Sequence, residues 1–148
     1  MPVGFGFSVG DFVSGISLVR NLIKALQDSG GSSREYLELI AELRSLENAF
    51  VQVKAQYGDV QLPEQRTALD QAVQACQESI DDFLRTITKY HQHLNIHGTS
   101  STARDALRKI QWHLTKATEL VNFRSRISVH VQSIQTLLVT IQVLVKLP

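Results

Sequence analysis

Cysteine is almost missing from this chain. Cys76 is the only one in 148 residues, so no disulfide can close within it, and a reducing, intracellular setting fits best. Proline occurs three times and glycine eight, with five of the glycines before residue 31. Residues 32–148 are therefore nearly free of helix breakers, which favours long helices. The opening "MPVGFGFSVGD" lacks the basic region of a secretory signal. Pro2 stands where N-myristoylation needs glycine. A P-loop, a G-x-S-x-G elbow and a zinc signature are all lacking. "GFGFSVG" follows no strand and sits in no βαβ unit, so it does not read as a dinucleotide fingerprint. No serine, cysteine or carboxylate has a partner that spacing identifies. These absences point away from an enzyme, a cofactor, a metal or a small-molecule substrate.

What is present is helical periodicity. Four segments repeat apolar residues at spacings of three and four, the mark of a helix with one buried stripe. The first runs Val9, Phe12, Ile16, Val19, Ile23, Leu26 and stops at "DSGGSS", where Gly30 and Gly31 suit a left-handed helix end. Ser33 is placed to cap the second, whose stripe is Tyr36, Leu39, Leu43, Leu46, Phe50, Val53, Tyr57. "GDVQLP" makes a turn, with Pro63 suited to a first helical position. The third stripe is Leu69, Val73, Cys76, Ile80, Phe83, Ile87, Tyr90, Leu94, which makes Cys76 a small buried apolar group. "NIHGTSST", 95–102, reads as a loop.

The last third holds two stripes. Leu107, Ile110, Leu114 and Ala117 form one; Leu120, Phe123, Ile127, Val131, Ile134, Leu138, Ile141 and Val145 form the other. On one straight helix Leu107 and Ile127 would stand roughly 160° apart. A break is therefore expected near Thr115–Thr118, with Thr115 or Thr118 as the new cap. Long helices with short connections imply an all-α, up-and-down four- to five-helix bundle over residues 1–148, with the second and third stripes as its interior wall.

Charge is uneven although the net is only +1. Residues 102–148 carry seven basic against two acidic residues, while 31–60 and 61–101 each carry three basic against five acidic. One reading packs acidic and basic helices side by side with their edges paired. The other makes Arg104, Arg108, Lys109, Lys116, Arg124 and Arg126 a basic face for an anionic membrane. Nothing suggests nucleic acid, since arginine-rich grooves and interleaved aromatics are lacking.

Other features have modest readings. His91 and His93 diverge on a helix and His97 falls in the loop, so a solvated helix end is expected there rather than a metal site. His113 and His130 read as ordinary polar or interface residues. Trp112 suits a plug at one end of the bundle. Residues 127–145 hold no charge over nineteen positions, a membrane-span length. Gln132, Gln135 and Gln142 make a deeply buried core helix the better reading.

"GFSVGDFVSGISLVRNLIKALQDSGGSSREYLELIAELRSLENAF" resembles the N-terminal domain of many fungal proteins that carry NLR-type NTPase, ankyrin or ubiquitin-like regions. "ALRKIQWHLTKATELVNFRSRISVHVQSIQTLL" resembles a segment of HeLo and HeLo-like domains. The resemblance implies a helical bundle held soluble until it oligomerises, whose apolar, glycine-containing first helix then targets membranes. The matching residues are Phe5, Phe7, Val9, Phe12, Val13, Ile16 and Val19, with Gly4, Gly6, Gly10 and Gly15. Asp11 and Arg20 depart from an apolar helix; a charge at the bilayer centre costs ~2.5–3.5 kcal/mol on insertion scales, so both would line a pore or sit at an interface. The implied function is a non-catalytic signalling or execution domain of fungal NLR-like immunity or incompatibility, cytoplasmic and membrane-associated on activation. It would be an excised N-terminal part of a longer protein, with a second copy of itself as partner. The alternative is a constitutive interaction or dimerisation module without membrane activity.

Overall fold

The computed structural model describes residues 9–29, 31, 33–88 and 115–146, with backbone alone at 9–13, 88 and 145–146. Every regular element among them is helical. Helix α1 spans Val9–Asp28, α2 Arg34–Gln56, α3 Pro63–Thr88 and α4 Ala117–Lys146, and a 3-10 turn at Tyr57–Asp59 follows α2. Their buried apolar residues form one continuous core.

Local chemistry explains the helix ends. The Ser29 backbone N–H donates to the Ala25 carbonyl at 3.1 Å, and its hydroxyl donates to the Leu26 carbonyl at 2.6 Å. Both satisfy carbonyls that the ending helix leaves unpaired. Ser33 caps α2 as expected, accepting from the Tyr36 N–H at 3.4 Å. Gly31 is not in the left-handed region. Its requirement is space: a Cβ there would lie 2.9 Å from the Tyr36 ring. Pro63 opens α3, as its lack of an N–H allows. Helix α4 begins at Ala117, within the span where a new helix is expected, but threonine does not cap it. The Lys116 carbonyl takes the first bonds, from Glu119 N–H at 3.0 Å and Leu120 N–H at 3.2 Å, and the buried Thr115 hydroxyl has no hydrogen-bond partner.

The stripes face inward. Tyr36, Leu39, Leu43, Leu46, Phe50 and Val53 of α2 are buried, as are Leu69, Val73, Cys76, Ile80, Phe83 and Ile87 of α3. Tyr57 is half-buried, and its hydroxyl donates to Asp70 Oδ1 at 2.8 Å. The helices do not pack as the stripes alone suggested. Among the described residues the interior pair is α2 with α4, not α2 with α3; α1 lies mainly against α2, and α3 against α4. Phe83 of α3 and Phe123 of α4 stack face to face with centroids 3.9 Å apart and planes within 1°.

Candidate functional site

The first candidate is the start of the chain. Phe5, Phe7, Gly4 and Gly6 lie outside the described residues. Val9, Gly10, Asp11, Phe12 and Val13 form the first turns of α1, where only the backbone is described. From Gly15 onward the surroundings are clear. A Cβ on Gly15 would meet the Phe50 ring at 3.4 Å and Gln77 Nε2 at 3.1 Å, so α1 runs close to both α2 and α3 here. Ile16 and Val19 are core residues at 6% and 0% exposure, followed by Leu22, Ile23 and Leu26. Burying a large apolar side chain contributes ~1.5–3 kcal/mol, so these five together contribute roughly 8–15 kcal/mol. This is a gross contribution, set against the conformational entropy of ordering the helix. Gly15, Ile16 and Val19 therefore lie inside the folded bundle. Arg20 is paired within the bundle: its Nε donates to Glu47 Oε2 of α2 at 2.6 Å.

The second candidate is the basic face. Arg104, Arg108 and Lys109 lie outside the described residues. Lys116 is exposed. Arg124 turns to the acidic α2, 3.8 Å from Glu38 Oε2, which also accepts from Arg34 at 2.7 Å through its other oxygen. The Arg126 guanidinium lies 6.0 Å over the Phe123 ring. Pairing along a helix edge therefore occupies Arg124, as the side-by-side reading expects. Such half-exposed pairs contribute only ~0–1 kcal/mol.

Polar contacts supply two arrangements that spacing did not reveal. Ser79 of α3 and His130 of α4 are 2.8 Å apart, Oγ to Nε2, across 51 residues of chain. Burial, and then the nearby Arg126 charge, lowers the His130 pKa, so the imidazole is neutral at pH 7. A serine beside a neutral histidine is half of a nucleophilic site. Here both residues lie inside helices, where backbone N–H groups are committed to helical carbonyls and cannot form an oxyanion hole. The pair works as a polar clamp between two helices. The second arrangement is Tyr57, Asp70 and Arg66. Burial, with the neighbouring Asp70 carboxylate, pushes the Tyr57 phenol up to about 12, and the Arg66 guanidinium lies 5.5 Å over its ring. Gly58, Val60, Gln61, Pro63 and Arg66 line a shallow, open hollow beside it.

Cys76 is fully buried, and burial pushes its thiol up to about 12, which makes it inert. Among the described residues no three or more metal-ligating side chains cluster; His91, His93, His97, His113 and Trp112 lie outside them.

The third candidate is α4. It is the one described helix long and apolar enough to cross a membrane by length and composition. Only one side of it is in the core: Leu120, Phe123, Ile127, Val131, Ile134, Leu138 and Ile141 are buried. The opposite side faces solvent, with Val129 at 61%, Val139 at 58% and Val143 at 54% exposure. This corrects the expectation of a deeply buried core helix. The helix is two-sided, and its outer side has valine, threonine and glutamine where α3 has Glu78, Asp81, Asp82 and Arg85.

No family model, curated protein or solved structure matches the chain.

Proposed function

We propose that this chain is a non-catalytic signalling or execution domain that works through helix-mediated association, as its resemblance to the HeLo-like N-terminal domains of fungal NLR-like proteins implies. The single observation that carries the reading is the outer side of α4. It is uncharged from Ile127 to Leu144 and exposes large apolar side chains, a surface of the kind that marks an interaction site. The domain is a single up-and-down bundle, held soluble in the cytoplasm. Membrane targeting belongs to residues 1–8, ahead of α1, because α1 from Gly15 onward is part of the core.

The anchored α1 also favours a second reading, a constitutive interaction module with no membrane activity. Dye release from anionic liposomes separates the two, comparing the full chain with one that lacks residues 1–8. Release by the full chain that is lost on truncation, at unchanged helicity and melting temperature, supports the membrane-targeting domain. Release unaffected by truncation contradicts the role given to the leader. No release from either supports the interaction module.

A further inference from the structure

We draw no further inference here: the strongest candidate, the uncharged outer side of α4 around Val129, Val139 and Val143, carries nothing beyond the association already proposed, because nothing in the structure shows what covers it.

Discussion

Single residues determine how closely these helices meet. Gly31 and Gly58 both lie in connections, and neither adopts a left-handed backbone, yet alanine should act oppositely at the two. At Gly31 the new methyl collides with the buried Tyr36 ring, with 2.9 Å where ordinary contact needs ~3.4 Å or more. Gly31→Ala should cost ~1–3 kcal/mol in urea unfolding, the range for overpacking. At Gly58 nothing lies within 4 Å, so Gly58→Ala should stabilise by ~0.4–1 kcal/mol through the unfolded chain. Cys76 gives a second test at this scale. Its thiol is raised from 9.0 to about 12 by burial, so the folded state holds the proton more tightly than the unfolded one. Its contribution is complete below pH 9 and declines as pH rises through about 12. At pH 8 iodoacetamide should leave the native protein unlabelled and modify it only after unfolding.

At the scale of elements, the α3–α4 contact combines an aromatic stack with the Ser79–His130 clamp. Phe123→Ala should cost ~3–5 kcal/mol, because it empties a fully buried site facing Phe83. The His130 pKa is lowered, so protonation favours the unfolded state, and stability falls as pH drops below 6.5 toward the folded value. His130→Gln, which can still bond Ser79, should remove that part of the acid slope in melting curves recorded between pH 7 and 5. Helix positions were legible in the sequence because burial follows a 3.6-residue period: the stripes from Ile16 to Leu26, Tyr36 to Val53 and Leu69 to Ile87 are all core, as is Leu120 to Ile141. Which helices share a face was not legible, since a stripe shows that a side is buried and says nothing of its neighbour. The α2–α4 pairing and the Ser79–His130 contact both join residues far apart in the chain. The exposure of the outer side of α4 was not legible, because valine and glutamine suit a buried helix as well as an exposed one.

For the whole molecule the deciding quantity is how much of α1 the bundle can release. Ile16, Val19, Leu22, Ile23 and Leu26 are all buried, so releasing α1 would expose five large apolar side chains at once. Ile16→Glu should therefore unfold the protein or cost ~3–5 kcal/mol by burying an unpaired charge, seen as loss of helicity at 25 °C or a collapsed urea midpoint. On the membrane-targeting proposal the bundle stays closed and residues 1–8 make the contact. Amide hydrogen exchange of the full chain bound to anionic liposomes tests this most directly. Residues 16–26 should exchange as slowly on the vesicle as in solution, in step with the core of α4 around Phe123–Ile134. Loss of protection across 16–26 on binding, with α4 still protected, would show that the entire first helix departs and would contradict the account.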